Sequence, residues 1–292
     1  MDRIRRALDL ARLERERAAK IPAAPEPVAA PPPPNPAQRP RGFDADPAGG
    51  ASAAHELPTA IRYTRTKSFV PPPGLLEENR IIDMARAEPA AAAFRMLRTQ
   101  VLQRMEEHAW RSLAVFSPTA DVGKTTTAIN LAISLANDHR HTVLLVDLDL
   151  KRPSVAAKLG LVPDLGVDDL LRGEGLLEDC LQHPEVFDRL VVLPARGILE
   201  NSSEAIAGPR GRELTAELRA RYPDRLIIYD LPPILGADDA LAFAPLVDCG
   251  LVVVAEGMTR RDDLVRCMEL LRKTPIVGTV LNRAQHVPSA YG

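Results

Sequence analysis

Prolines are distributed unevenly along this chain, and their distribution constrains its folding more than any other feature. Fifteen of the 27 prolines lie in residues 1–90, and nine of these lie between Pro22 and Pro40. Proline fixes φ and has no backbone N–H, so a dense proline run excludes helix and sheet and favours an extended polyproline II spacer. The other 202 residues contain only 12 prolines. We therefore expect the chain to divide near residue 90 into a part that cannot fold compactly and a part that can.

Charge and cysteine content exclude several classes of protein. The 37 basic and 39 acidic residues give a net charge of −2, which argues against a generic nucleic-acid binder. The three cysteines have no CxxC spacing, so neither a disulfide scaffold nor a cysteine-based zinc site is expected. No apolar run approaches the roughly 18 residues that cross a bilayer, and the basic start lacks the continuous apolar core of a secretory signal. These features predict a cytoplasmic protein without a nucleic-acid partner.

The front part of the chain is predicted to contain a short helix and a linker. Ile4, Leu8 and Ala11 follow helical spacing, so residues 1–20 are expected to form an amphipathic helix. Two interpretations stay open: a marginal, solvated helix, or a docking helix that a partner protein or an anionic membrane surface stabilises. Residues 21–89 are predicted to form a Pro/Ala-rich linker that is largely disordered.

Beyond this linker, helical patterns alternate with short apolar runs. An amphipathic helix is predicted from Ala90 to about Trp110, and the apolar runs after it are predicted to be strands. The predicted strands are Leu113–Phe116, Thr142–Val146, Leu190–Leu193, Leu226–Tyr229, Leu251–Ala255 and Ile276–Leu281. The helices predicted between them are Lys124–Ala136, Ser203–Arg221, Asp238–Leu246 and Arg261–Lys273.

This alternation predicts the fold class. Continuous apolar strands separated by helices indicate an α/β fold in which helices cover both faces of a mostly parallel sheet. The predicted domain spans residues 90–286, and residues 287–292 are expected to form a mobile tail. Ligands of such folds bind at the carboxyl ends of the strands, so functional residues are expected there.

A phosphate-binding loop is predicted directly after the first strand. The sequence from Ser117 to Thr127 reads SPTADVGKTTT and runs into an amphipathic helix, so strand, loop and helix follow in the order that a P-loop requires. Backbone N–H groups of such a loop point at phosphate oxygens. We expect Lys124 to reach the β- and γ-phosphates and the Thr125 hydroxyl to bind Mg²⁺. The predicted nucleotide-contacting residues of the loop are Thr119, Ala120, Asp121, Val122, Gly123, Lys124, Thr125 and Thr126.

Three aspartates follow two of the predicted strands. Asp147 and Asp149 follow the second strand, and Asp230 follows the fourth. Aspartates at strand ends can be plain turn formers. Beside a Gly-Lys-Thr loop, they are better explained by magnesium binding and by positioning or deprotonating an attacking hydroxyl. Thr125, Asp147 and Asp230 are therefore predicted to hold the metal, and Lys124, Asp147 and Asp149 to be catalytic.

Several motifs resemble those of the MinD/ParA-type deviant P-loop ATPases and, within them, the bacterial tyrosine autokinases of exopolysaccharide export. VLLVDLDLKRP resembles the second Walker-type motif of these kinases, with Lys151 in place of an arginine, and IIYDLPP resembles their third motif. The order of GVDDLLRGEGLLEDCLQ, VLPARG and SSEAIAGPRGREL is also similar, as is the final strand with Asn282 and Arg283. The short helix and proline-rich linker resemble kinases encoded with exosortase-type polysaccharide systems. The resemblance covers about residues 90–286.

The resemblance implies a P-loop protein that binds ATP and Mg²⁺ and transfers the γ-phosphoryl group to tyrosine. It implies that Asn282 contacts the adenine edge, with Arg283 beside it in the nucleotide site. Tyr291, in the predicted tail, would be the phosphate acceptor. The implied partner is a membrane-embedded polysaccharide co-polymerase or chain-length protein. The protein would then lie in the cytoplasm at the inner face of the plasma membrane and regulate exopolysaccharide or capsule synthesis.

The sequence departs from the family pattern in ways that leave two alternatives open. Asp121 stands where the kinases have glycine, and its carboxylate would repel phosphate. Ala92 replaces the glutamate of their oligomerisation motif while Arg95 and Arg98 are kept, so both a homo-oligomer and plain solvation of these arginines stay open. Thr119 stands where MinD/ParA ATPases have their signature lysine, as is usual for the kinases. The alternatives are a non-catalytic nucleotide-binding regulatory subunit and a MinD/ParA-like positioning ATPase.

Overall fold

The computed structural model describes residues 66–86, 88–221 and 224–284. The predicted docking helix at residues 1–20, most of the predicted linker and the tail with Tyr291 lie outside these residues. Of the helices within the described ranges, none is long and apolar enough to cross a membrane.

The described residues form an eight-stranded sheet. In chain order its strands are β1 (Lys67–Phe69), β2 (Ser112–Phe116), β3 (Thr142–Asp147), β4 (Gln182–Pro184), β5 (Leu190–Leu193), β6 (Arg225–Asp230), β7 (Cys249–Ala255) and β8 (Ile276–Asn282). Across the sheet the order is β1-β4-β5-β3-β6-β2-β7-β8. Neighbouring strands run parallel except β4 and β5, which are antiparallel.

Helices connect the strands and cover both faces of the sheet. In chain order they are α1 (Leu75–Glu78), α2 (Pro89–Glu107), α3 (Lys124–Ala136), α4 (Val155–Leu159), α5 (Val167–Arg172), α6 (Leu177–Cys180), α7 (Ser202–Ala207), α8 (Pro209–Arg221), α9 (Asp239–Phe243) and α10 (Arg261–Leu270), with a 3₁₀ turn at Ala244–Leu246. Residues of α2, α3 and α4 pack in one apolar core, and residues of α5 to α10 pack in a second. The predicted α/β fold with a mostly parallel sheet is confirmed.

The central strands explain the apolar runs in the sequence. Every residue of β2 and β7 is buried, and β3 and β6 are buried after their first residue. A strand that is covered on both faces needs apolar side chains on both, so it reads as a continuous run. The strand order β3-β6-β2 also brings the ends that carry Asp147, Asp230 and the Gly-Lys-Thr loop next to one another.

The folded part begins earlier than the predicted boundary at residue 90. Lys67–Phe69 pairs in parallel with β4, and the side chains of Ile81 and Met84 are buried in the core. The linker prediction is therefore wrong for the described residues 67–86, which belong to the folded domain. A three-residue strand that is followed, after Val70, by three prolines is too short to show a periodicity. Its place in the sheet depends on contacts with residues distant in sequence.

The segment at residues 74–86, which we call the strap, is fastened to the helix that follows the phosphate loop. The buried side-chain amide of Asn130 in α3 donates to the carbonyl oxygen of Arg80 at 2.9 Å and accepts the N–H of Ile82 at 2.8 Å. These two hydrogen bonds give the backbone groups of Arg80 and Ile82 a partner inside the protein in place of water.

Two further predictions change in detail. The predicted helix Ser203–Arg221 is two helices, because Pro209 has no N–H to continue the turn that ends at Ala207. Arg95 and Arg98 are half-buried rather than plainly solvated: Arg95 donates to Met84 O and Arg98 to Ser134 O, both at 3.1 Å. These bonds fix α2 within the chain, and assembly into a homo-oligomer stays a prediction.

Candidate functional site

The loop between β2 and α3 has two residues with left-handed backbone. Asp121 and Gly123 have φ values of 61° and 86°. Gly123 cannot carry a side chain, because a Cβ there would collide with the amide nitrogen of Asn282. Asp121 is exposed and keeps a conformation that aspartate tolerates better than most residues. The backbone at position 121 is therefore left-handed, as glycine would readily allow, although this chain has aspartate there.

The remaining predicted loop residues have different surroundings. Val122 is fully buried beneath the loop, and Ala120 is exposed. Thr119 accepts a hydrogen bond on its carbonyl oxygen from the Ser117 hydroxyl at 2.9 Å, which closes the first turn of the loop. Thr126 lies beyond the loop on α3.

Lys124, the first residue of α3, is buried among carboxylates. Its Nζ lies 2.6 Å from Asp230 Oδ1 and 3.5 Å from Asp149 Oδ2. Burial lowers the pKa of Lys124, but the negative charges of Asp230 and Asp149 outweigh burial and raise the pKa above its ordinary value. The ammonium is therefore charged at neutral pH. It lies where the loop meets the start of α3.

Asp230 joins the two loop residues that were predicted to contact phosphate and metal. It is fully buried, and its second oxygen accepts a hydrogen bond from the Thr125 hydroxyl at 2.6 Å. In the sheet it lies directly opposite Asp147, because these residues are partners in the β3–β6 register. Asp230 is thus the central carboxylate of the site.

Asp147 shapes the chain after β3. Its carboxylate accepts the backbone N–H groups of Asp149 at 3.2 Å, Ser154 at 3.1 Å and Val155 at 3.0 Å. Burial, and then the charge of Asp230, raise the pKa of Asp147 to about 7. The turn-forming interpretation therefore has direct support for this residue, and its predicted roles in metal binding and catalysis stay predictions.

Asp149 is the more accessible of the two aspartates after β3. It is 7% exposed, whereas Asp147 is 0% exposed. One oxygen accepts the N–H of Arg152 at 3.1 Å, and the other faces Lys124. Burial raises the pKa of Asp149, and the Lys124 charge opposes that rise. A carboxylate whose pKa is raised and that lies beside a cation is a suitable proton acceptor.

Asp147 should make the stability of the ligand-free protein depend on pH. Its pKa of about 7 in the folded chain lies above the usual value of about 3.9 for aspartate. Between these two pKa values the folded state binds more protons than the unfolded state. The contribution of the Asp147 carboxyl to stability is therefore complete below about pH 4 and is lost as the pH rises through about 7. We expect Asp147→Asn to flatten this fall in urea unfolding between about pH 5 and pH 7.5. An unchanged slope, equal to that of the exposed control Asp262→Asn, would contradict the assignment.

The oxygen donors at the loop are of the type that Mg²⁺ prefers. Among the described residues, no three His, Cys, Asp or Glu side chains are grouped so that they could hold a metal ion by themselves. The Thr125 hydroxyl and Asp230 carboxylate supply two adjacent oxygens. Mg²⁺ commonly takes one or two protein carboxylates and completes its shell with water and substrate phosphates. The residues present therefore fit Mg²⁺ that is bound together with a nucleotide.

Asn282 and Arg283 contact the loop backbone, which sequence reasoning did not foresee. Asn282 Nδ2 donates to Val122 O at 2.8 Å, and Arg283 Nη2 donates to Asp121 O at 2.7 Å. The sequence signal was limited to their position at the end of a strand, where ligand contacts are common. Contact of Asn282 with a base stays a prediction.

A cavity of about 1050 Å³ lies beside the loop. Gly123 and Thr126 line it on one side, Asn282 and Arg283 at a second, and the strap at a third. Its size is at the upper end of the range for small-molecule sites. The sequence could not indicate this cavity, because one of its walls comes from the segment that was predicted to be linker.

Residues 113–290 match the model of the CobQ/CobB/MinD/ParA nucleotide binding domain. The chain belongs to this family. The match begins at β2 and includes the loop, all three aspartates and Asn282, so the family's nucleotide-binding domain coincides with the site described above.

Members of the family that resemble this chain include bacterial tyrosine kinases, which confirms the resemblance seen in the motifs. The tyrosine-protein kinase YwqD of Bacillus subtilis is 29% identical over 191 residues, which are 65% of this chain and 79% of YwqD. The tyrosine-protein kinase wzc of Salmonella typhi is 30% identical over 164 residues, which are 56% of this chain. The aligned part covers only 22% of wzc, so most of that longer protein has no counterpart in the comparison.

Solved structures agree with the sequence relatives. The VpsO kinase domain is 33% identical, with a TM-score of 0.61, and the match covers 67% of this chain and 96% of that domain. The kinase domain of the Escherichia coli tyrosine kinase ETK is 25% identical, with a TM-score of 0.64, and the match covers 77% of this chain and 92% of that domain. The fold of this chain is therefore that of bacterial tyrosine-kinase domains.

Proposed function

We propose that this protein binds ATP with Mg²⁺ and transfers the γ-phosphoryl group to protein tyrosine, as a regulator of exopolysaccharide or capsule synthesis and export. The observation that carries the proposal is the buried Lys124, held between Asp230 and Asp149 at the start of α3. The names of YwqD, wzc and ETK, all tyrosine kinases, support the choice of tyrosine as acceptor.

Each residue of the site would have a separate role in phosphoryl transfer. The loop amides and Lys124 would hold the phosphates and offset their charge, which is the main source of catalysis in such reactions. Mg²⁺, bound by Thr125 and Asp230, would neutralise further phosphate charge. Asp149 would accept the proton of the tyrosine hydroxyl while the tyrosine oxygen bonds to the γ-phosphorus and the bond to the ADP oxygen breaks. Asp147 would hold the turn that places Asp149.

The proposed setting follows from relatives that act in polysaccharide production. The succinoglycan biosynthesis transport protein ExoP of Rhizobium meliloti is 30% identical over 213 residues, which are 70% of this chain and 26% of ExoP. We propose a membrane-embedded polysaccharide co-polymerase or chain-length protein as partner of this chain. The protein would then work in the cytoplasm at the inner face of the plasma membrane.

Phosphotyrosine mapping tests the acceptor. After incubation of the full chain with ATP and Mg²⁺, we expect mass spectrometry to find phosphate on Tyr291, and we expect Tyr291→Phe to remove more than about nine-tenths of it, because a phenyl ring has no oxygen to accept phosphate. Tyr63→Phe is the matched control and should leave the signal unchanged. Equal phosphotyrosine in Tyr291→Phe and the native chain would overturn the assignment of Tyr291.

One observation favours a second candidate, a nucleotide-binding regulatory subunit without transfer activity. Asp121 places an exposed carboxylate on the phosphate loop. A carboxylate about 6 Å from a phosphate charge repels it by about 2–3 kcal/mol at an effective dielectric near 20. Calorimetric titration of Mg-ATP into the native chain and Asp121→Gly separates this candidate from the kinase. Weak binding that Asp121→Gly strengthens, without any phosphotyrosine even when the cytoplasmic part of a co-polymerase is added, would favour it, whereas tight binding by the native chain would remove its main support.

A further inference from the structure

Two side chains at the end of β8 hold two successive carbonyl groups of the phosphate loop. Asn282 donates to Val122 O, and Arg283 donates to Asp121 O. Asn282 is itself fixed, because its Oδ1 accepts the Arg283 N–H at 2.9 Å and its carbonyl oxygen accepts the Glu256 N–H at 3.0 Å. The end of β8 is therefore held by its own hydrogen bonds and is bonded in turn to the backbone of the phosphate loop.

These bonds determine where the loop's N–H groups point. In a trans peptide the C=O and N–H groups point in opposite directions. With the carbonyls of Asp121 and Val122 turned toward β8, the N–H groups of Val122 and Gly123 point away from β8. Neither N–H has a hydrogen-bond acceptor within the described part of the chain. Two free amides next to a buried lysine form an anion-binding concavity.

We propose that Asn282 and Arg283 are positioning residues that set the phosphate-binding shape of the loop, and that Arg283 compensates for the aspartate at position 121. The inference rests on the proposed binding of nucleotide. Glycine would adopt the left-handed backbone at 121 without help, whereas Asp121 does so at a cost. The Arg283 guanidinium stabilises this peptide orientation through a charge-assisted hydrogen bond and places a positive charge beside a residue whose carboxylate repels phosphate.

Positioning and base recognition differ in which ligands they affect. If Asn282 mainly contacts adenine, its loss weakens ATP binding and leaves the binding of inorganic tripolyphosphate unchanged. If Asn282 and Arg283 set the loop, their loss weakens every ligand that places phosphates in it, whatever base the ligand carries. GTP and tripolyphosphate therefore separate the two roles.

The first experiment measures binding of Mg-ATP, Mg-GTP and Mg-tripolyphosphate to the full chain by calorimetry. Asn282→Leu keeps a similar side-chain volume without adding a charge and cannot donate to Val122 O, and Arg283→Ala removes the guanidinium. We expect both to weaken all three ligands by a similar factor of about ten, the value of a hydrogen bond to or from a charged or constrained group. Thr279→Ala, an exposed change on the same strand, should have no effect. Weakening of Mg-ATP alone, or no weakening, would overturn the proposal.

A double-mutant cycle tests the compensation and does not depend on Asn282. We expect Arg283→Ala to weaken Mg-tripolyphosphate binding about tenfold in the native background and less than about threefold beside Asp121→Gly, because glycine needs no support. Equal losses in both backgrounds would contradict compensation. If the native chain binds none of the three ligands, the proposed function itself fails; if it binds them and the variants match it, only this inference fails.

Discussion

Replacing Lys124 with methionine is expected to lower tyrosine phosphorylation by about 10³-fold, the size of effect seen when a charge-stabilising donor is removed from an active site. Methionine fills a similar volume but leaves the phosphate charge without the buried ammonium that Asp230 and Asp149 hold in place. The measurement is the initial rate of phosphotyrosine formation at saturating Mg-ATP. Lys273→Met, an exposed lysine before β8, is the matched control and should retain the native rate.

The same change should also reduce the stability of the ligand-free protein. Without Lys124, Asp230 stays fully buried with no cation beside it, and breaking a buried ion pair from one side costs about 3–5 kcal/mol. A Lys124→Met protein with native stability and native kinase rate would remove the basis of the proposed site.

Replacing Asp230 with asparagine is expected to lower the phosphorylation rate by about 10²–10³-fold and to raise the Mg²⁺ concentration that the reaction needs. In the native protein one carboxylate oxygen of Asp230 accepts a hydrogen bond from the Lys124 ammonium, and the other accepts one from the Thr125 hydroxyl. An asparagine side chain has only one oxygen, so its NH₂ group must face one of these donors. The measurement is the rate as a function of Mg²⁺ concentration.

The control for this variant lies directly before the same strand. Asp224→Asn changes an exposed aspartate at the opposite end of β6 and should leave both the rate and the Mg²⁺ dependence unchanged. An Asp230→Asn protein with native Mg²⁺ dependence would contradict the predicted metal contact of Asp230, whereas a lower rate at all Mg²⁺ concentrations would limit its role to holding Lys124.

The sequence was sufficient for the fold class, for the central strands and for the residues that meet around Lys124. Strands buried on both faces must be continuously apolar, so segments such as Val143–Val146 could be recognised without structural information. The loop motif and the strand-end aspartates follow a local order, and the sheet brings Lys124 to Asp230 because β2 and β6 are neighbours. These features depend on short stretches of sequence.

What could not be predicted depends on contacts between distant residues. Nothing in the sequence near Asn130 shows that its amide holds the strap, about 50 residues earlier, on α3. Asn282 and Arg283 reach loop carbonyls about 160 residues away. The three backbone N–H groups that Asp147 accepts come from a turn whose path is set by packing. A residue type shows what a side chain can do, and the fold decides which partner it meets.

The fate of the γ-phosphate tests the central claim most directly. Full-length protein is incubated with Mg²⁺ and ATP labelled at the γ-phosphorus, with the co-polymerase's cytoplasmic segment present in a parallel reaction, and the label is divided between protein tyrosine and inorganic phosphate. We predict label on tyrosine in the native chain and about 10³-fold slower labelling in Lys124→Met. Release of the label only as inorganic phosphate, or no turnover in either reaction, would contradict the proposal that this protein is a tyrosine kinase.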